Sequence, residues 1–148
     1  MNLDKTLTSS VYVVYKNKVL LHRHKKYNTL FPLGGHMEVD EVPHETAIRE
    51  VKEESGLDVI LYNEDKYLEL GRVKQLHRPM HVLLENIGHE VENIDFIYFA
   101  TSNCDILKPI IGESKEFHWL SKNDIETSNE IKPHVKQMAL DALNKLCK

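Results

Sequence analysis

The 148-residue chain holds two cysteines, five prolines, six glycines and one tryptophan, and it contains no long apolar run. Cys104 and Cys147 form no CxxC pattern. They read as free thiols in a reducing cytoplasm, not as a disulfide framework. No stretch approaches the ~20 apolar residues that span a bilayer, and the opening MNLDKTLTSS lacks the apolar core of a signal peptide. Positive charge is not in excess either. A net charge of -4 and a pI near 6.1 argue against a general nucleic-acid or membrane coat. The nine histidines are scattered, and the pairable spacings His22/His24 and His77/His81 have no cysteine nearby, so a structural zinc site is not indicated.

What is present suits one domain spanning residues 1–148, long enough to bury a core around a sheet. Residues 1–10 read as a loose lead-in. Val11 to Tyr15 and Val19 to His24 are β-branched and aromatic runs around a Lys16-Asn17-Lys18 turn, which predicts a hairpin. Val59 to Tyr62, His81 to Glu85, Phe96 to Thr101 and Phe117 to Leu120 read as further strands. Tyr67 to Leu76 reads as an extended segment with a bulge at Gly71. Asn63 to Lys66 and Ser121 to Asp124 read as turns, the second rich in N-cap residues, and Cys104 to Gly112 as an irregular loop. Pro133 to Leu146 carries Val135, Met138, Ala139, Ala142, Leu143 and Leu146 at helical spacing, a core-facing stripe.

The chemistry concentrates in Gly35 to Leu57, GHMEVDEVPHETAIREVKEESGL. Pro43 to Ser55 predicts a helix with Ala47, Ile48 and Val51 as its apolar stripe. Pro43 suits position N1, but Val42 before it cannot accept the orphan N–H groups. Glu45, with Asp40, is left to compensate by charge. Glu50, Glu53 and Glu54 share one face within a turn. Like charges at that spacing weaken a bare helix, and a hard divalent cation reverses the sign. Glu41 precedes the helix and can fold back onto Arg49, whose forked guanidinium then becomes a rigid strut. Gly34-Gly35 allows close backbone approach, and Gly56 stands where a left-handed helix cap is expected.

Gly35, Glu41, Arg49, Glu50, Glu53, Glu54 and Gly56, with aliphatic Val51 and Leu57, match Gly-x5-Glu-x7-Arg-Glu-U-x-Glu-Glu-x-Gly-U at every fixed position. In this the chain resembles the Nudix hydrolases, on the small MutT-like branch. The resemblance implies an α/β fold, an α/β/α sandwich with a mixed sheet, the box helix on one side and a C-terminal helix. It also implies metal-dependent cleavage of a pyrophosphate bond in a nucleoside diphosphate linked to a further group. Glu50, Glu53 and Glu54 then become ligands of magnesium or manganese, the Gly34 carbonyl a further one, and Glu41 and Arg49 supports. The general base stays open between Glu53 and a later-loop carboxylate that can also join the metal, Glu113 or alternatively Glu116. The proline of the family's common Pro-Gly-Gly is Leu33 here.

The basic run at Arg23, His24 and Lys25 reads either as a solvated strand end or as a phosphate or base contact. Substrate subclass follows by elimination. Val73, Lys74 and Gln75 stand where relatives that split ADP-ribose or dinucleoside polyphosphates tend to carry Pro or Tyr. Nucleoside triphosphates, oxidised ones included, are left as the small-molecule substrate. Removal of pyrophosphate from RNA 5′ ends is the alternative, with Arg72, Lys74, His77 and Arg78 the one basic strip that could serve it. A metal-free sensing module would have lost the box carboxylates. No membrane partner is expected, and a homodimer, common among relatives, is compatible with the sequence.

Overall fold

The computed structural model describes residues 4–24, 27–86, 91–109 and 116–146. Its strands are β1 (Asp4–Tyr15), β2 (Lys18–Arg23), β3 (Leu30–Phe31), β4 (Leu33–His36), β5 (Val59–Leu61), β6 (His81–Asn86), β7 (Val91–Ser102) and β8 (Phe117–Ser121). Its helices are α1 (Pro43–Ser55), α2 (Lys122–Thr127) and α3 (Pro133–Leu146). The eight strands form one mixed sheet along the path β3-β2-β1-β7-β5, with β4 on β1, β6 on β7 and β8 on β2. β1 and β7 run parallel from Asp4 opposite Val91 to Val14 opposite Thr101. The other pairings are antiparallel.

β1 is the spine, and its alternation builds two cores. Val11 and Val13 point to one face, where Leu33, Tyr98 and Ala100 meet Ala47 and Val51 of α1. Tyr12 and Val14 point to the other, where Leu21, Ile97 and Phe99 meet Val135, Ala139 and Leu143 of α3. A strand buried on both faces reads as a continuous apolar run, as VYVVY does. The β1–β2 connection is Lys16-Asn17, both at positive φ (43° and 62°), a two-residue turn whose twist matches the strands it joins.

Several sequence expectations change. The lead-in is not loose, because Asp4 to Ser10 belong to β1. Their polar side chains on one face are satisfied across the sheet: the Thr6 hydroxyl donates to Asn93 at 2.5 Å and Thr8 to Asp95 at 3.0 Å. Tyr67 to Leu76 forms no strand. β5 and β6 lie along the same edge of β7, with Tyr62 donating to Phe99 and Met80 to Ile97, so residues 63–79 have no edge left to join. They form an excursion stitched by Gln75, which accepts from the Leu68 N–H and donates to the Lys66 carbonyl. Ser121 to Asp124 is more than a turn. Ser121 and Asp124 cap α2 reciprocally, and Ile125 is driven fully into the core. Leu30 to His36, read only as an approach to the glycines, supplies β3 and β4.

Candidate active site

α1 begins without a side-chain cap at Val42. The Glu45 carboxylate reaches back to the Val42 N–H at 3.0 Å and supplies half of a capping box, so its compensation is a hydrogen bond as well as a charge. At the other end Gly56 adopts φ 80°, and a Cβ there would lie 2.2 Å from the Lys108 carbonyl oxygen. Ala47 and Val51 are buried, whereas Ile48 is 43% exposed and leaves the predicted stripe. The helix is thereby clamped at both ends and through one narrow face. Its acidic face turns to the β4 end of the sheet.

There Arg49 acts as the local cation. Its Nε and Nη2 hold the two oxygens of Glu41 at 2.5 and 3.0 Å, and its Nη1 donates to Glu50 at 2.9 Å and Glu53 at 3.2 Å. The guanidinium also donates to the His36 carbonyl, tying α1 to β4. Beside Arg49 the Glu41 carboxyl is held down to about 2. The Glu54 carboxylate accepts the Gly34 N–H at 3.0 Å. Glycine is required twice. A Cβ on Gly34 would lie 2.2 Å from the Ser9 carbonyl oxygen, and one on Gly35 would lie 2.5 Å from the Glu50 carboxyl carbon. The second glycine makes room for the carboxylate itself.

Among the described residues no three acidic or imidazole side chains already form a closed ligand set. The donor chemistry nonetheless fits a hard divalent ion. Burial, and then the charge of Glu54, push the Glu50 carboxyl up to about 7, so the wall carries more negative character than its surroundings compensate. Three carboxylates with the adjacent Gly34 backbone are oxygen donors of the type magnesium takes.

These groups line one wall of a cavity of about 490 Å³, within the usual range for a small-molecule site. Another wall is aromatic: His24, Tyr27 and Phe31 meet with His24 4.8 Å from Tyr27 and 5.5 Å, edge to face, from Phe31. The floor is polar and comes from the face of the sheet opposite α1, with Thr8 and Ser10 of β1, Glu85 of β6 and Asp95 of β7, beside His134 of α3.

The predicted site residues divide accordingly. Glu50, Glu53, Glu54, Gly34 and His24 line the cavity, with Glu41 and Arg49 in support. Arg23 does not line it. Its guanidinium is locked to Glu116 at 2.8 Å and Glu130 at 3.2 Å, a strut joining β2, the start of β8 and the approach to α3, because β2 turns that side chain toward the neighbouring carboxylates. Glu116 is engaged there and with His118. Lys25 and Glu113 lie outside the described residues. Trp119 packs on β8 and donates to the Asp105 carbonyl, away from the cavity. Sequence reasoning missed Glu85, Asp95 and His134. The available signal was a carboxylate at an inward position of two apolar strands, which declares itself only once strand register is known.

The fold and site find counterparts among known proteins. A NUDIX domain family model matches residues 5–140. A NUDIX-family hydrolase from Clostridium perfringens is 42% identical, with a TM-score of 0.87, over 97% of this chain and 99% of that one. A MutT protein from Methanosarcina mazei Go1 superposes at 0.71 with 15% identity, covering 100% and 99% of the two chains. A UDP-X diphosphatase superposes at 0.67 with 12% identity, covering 98% and 66%. The last two likenesses speak to fold alone. No curated protein matches the sequence. The family model spans nearly all the sequence, and a Nudix-family hydrolase shares 42% of its residues along almost its whole length: this chain belongs to the Nudix family and is a Nudix hydrolase.

Proposed function

We propose that the protein hydrolyses a pyrophosphate bond in a nucleoside diphosphate linked to a further group, a nucleoside triphosphate, ordinary or oxidised, giving the nucleoside monophosphate and pyrophosphate. The observation that carries this reading is the sharing of one cavity by the box carboxylates and an aromatic wall. Magnesium, or manganese, is held by Glu50, Glu53 and Glu54 with the Gly34 carbonyl, and supplies charge neutralisation and a more acidic water. Of the three carboxylates Glu53 is the more open, its side chain 42% exposed against 18% for Glu50, which suits it to accept the proton of the attacking water. Glu116, occupied by Arg23 and His118, is less suited, and Glu113 stays a candidate. Arg49 and Glu41 position the carboxylates without touching substrate.

The RNA alternative draws no support from the cavity. Arg72, Lys74, His77 and Arg78 lie on the excursion, where Arg78 pairs with Asp65 and His77 stacks on His44 at 5.0 Å. Val82 and Leu84 on β6 and Tyr67, Leu68 and Val73 on the excursion are more than half exposed and suit a homodimer, which light scattering would reveal. No described helix is long and apolar enough to cross a membrane.

The test is product analysis with magnesium on ordinary and oxidised triphosphates, ADP-ribose, a diadenosine polyphosphate and a triphosphorylated RNA, for wild type and Glu53→Gln. Monophosphate and pyrophosphate released from a triphosphate, and lowered about 10³-fold or more in the variant, is the expected result. Turnover of the RNA alone, or near-normal activity of Glu53→Gln, would overturn it. Silence across the panel with metal still bound would favour a sensing role.

A further inference from the structure

The cavity floor holds a second acidic group that the box chemistry does not use. Asp95 is 3% exposed and the Glu85 side chain 17%. Leu83 stands opposite Asp95 and Glu85 opposite Asn93, so the two carboxyls meet on the diagonal of an antiparallel pair, within reach of one another. Asp95 is heavily committed. Its Oδ1 accepts from the Thr8 hydroxyl at 3.0 Å and its Oδ2 from Ser10 at 2.7 Å, and it shares a hydrogen bond with Glu85. Burial followed by the Asp95 charge pushes Glu85 up to about 8, so near neutral pH the pair keeps one proton between them. Glu85 itself lines the cavity. His134, held toward its neutral form by burial, lies 3.8 Å from Glu85, too far for a direct hydrogen bond.

A partly buried acceptor that lines a cavity gains from a donor that meets it there. No phosphate can be that donor. At the box wall a divalent ion reconciles carboxylates with phosphates, so the phosphates belong there. The rest of the cavity is left for the base, beside the aromatic rings of Tyr27 and Phe31, which meet edge to face.

We propose that the Glu85–Asp95 pair is a specificity determinant that reads the base of the nucleotide, Glu85 accepting N–H donors from a guanine-type edge, in which an exocyclic amino group stands next to a ring N–H. The assignment rests on the nucleotide reading above. It names which bases that site takes. Hypoxanthine differs from guanine only in lacking the amino group, so the guanosine and inosine forms make a matched pair.

The experiment measures kcat/KM for GTP and ITP, and calorimetric binding of GMP and IMP, for wild type, Glu85→Gln, Glu85→Met and Glu85→Asp. The wild type should prefer the guanosine form about tenfold or more in both assays, as one hydrogen bond to a partly buried acceptor warrants. Glu85→Gln keeps an N–H for Asp95 and a carbonyl oxygen for the base, so the preference persists. Glu85→Met abolishes it and weakens both forms, the guanosine form more, because the inosine base keeps the ring N–H but has no amino group to lose. Glu85→Asp, a shorter side chain of the same chemistry that guards against a folding failure of Glu85→Met, reduces it strongly. Equal values for the two bases in the wild type, or a preference untouched by both Glu85→Met and Glu85→Asp, would overturn the proposal. Absent turnover with a Glu85-dependent preference for GMP binding would instead sink the triphosphate reaction and leave the base reading standing. No binding of either monophosphate would sink both.

Discussion

Single carboxyl groups in and around the cavity are pushed in opposite directions by their surroundings. Glu41 faces the Arg49 fork and sits near 2, whereas Glu85 faces burial and another acid and sits near 8. The consequences for stability have opposite signs. Glu41 is depressed when folded, so its contribution is present above the ordinary carboxylate range near 4.5 and is lost as pH falls toward 2. Glu85 is raised when folded, so the folded state holds an extra proton between about 4.5 and 8, and stability declines as pH rises through that window. Urea unfolding midpoints from pH 4.5 to 8.5 should therefore slope downward more steeply in the wild type than in Glu85→Gln. Glu50, also raised, adds a slope common to both proteins, and the difference between the curves reports the Glu85–Asp95 pair. Parallel curves would show that the pair keeps its ordinary titration. At the same scale, Arg49→Lys leaves a charge but no fork. A lysine cannot bridge Glu41, Glu50 and Glu53 together, so kcat should fall about tenfold or more with only a small loss of stability, seen by comparing turnover with thermal melting.

At the scale of elements, the site depends on how closely α1 lies against β4 and β1. Two adjacent glycines permit that approach for different reasons, and their replacement separates folding from chemistry. Gly34→Ala drives a methyl into the backbone of β1, which cannot yield without opening the sheet, so the β1–β4 pairing should loosen and the protein destabilise by about 2 kcal/mol or more. Gly35→Ala meets only the end of a Glu50 side chain, which can swing aside. That variant should melt close to wild type and lose activity, because the displaced carboxylate no longer faces the cavity. Thermal melts beside turnover decide between them, and equal destabilisation of the two would contradict the packing described. The excursion between β5 and β6 shows the complementary rule. Its residues have strand-like composition, but a strand needs an edge, and β7 has none free along that stretch.

At the scale of the whole molecule, one sheet serves two cores and one cavity. Val51 is fully buried against the α1-side core. Val51→Asp places an unpaired charge there and should leave the protein unfolded, with loss of its circular-dichroism melting transition. Metal binding acts on the same global equilibrium. An ion that binds only the folded state stabilises it by about 2.7 kcal/mol at a hundred times its dissociation constant, roughly 5 to 10 °C in melting temperature for a chain of this size. Magnesium should produce such a shift in the wild type and little in a Glu50→Gln, Glu53→Gln, Glu54→Gln triple variant. A shift of equal size in both would remove these carboxylates from the ion.

Much of this molecule is legible along the chain because its information is local. Three carboxylates at i, i+3 and i+4, an arginine one residue before them, and glycines at both ends specify a helix with one acidic face whatever surrounds it. The α3 stripe from Val135 to Leu143 and the apolar run of β1 likewise declare their buried faces through periodicity. Other features are decided only by tertiary structure, because they depend on which strand lies beside which. Asp4 to Ser10 look too polar for a central strand until β7 sets Asp95 opposite Thr8. Glu85 and Asp95 are two unremarked acids until the β6–β7 register puts them on one diagonal beneath a cavity. Arg23, a plausible phosphate contact by its basic neighbours, becomes a strut once β8 and the approach to α3 bring Glu116 and Glu130 to it. Local spacing therefore identifies the acidic wall of the cavity, whereas pairing between residues distant in sequence builds its polar floor.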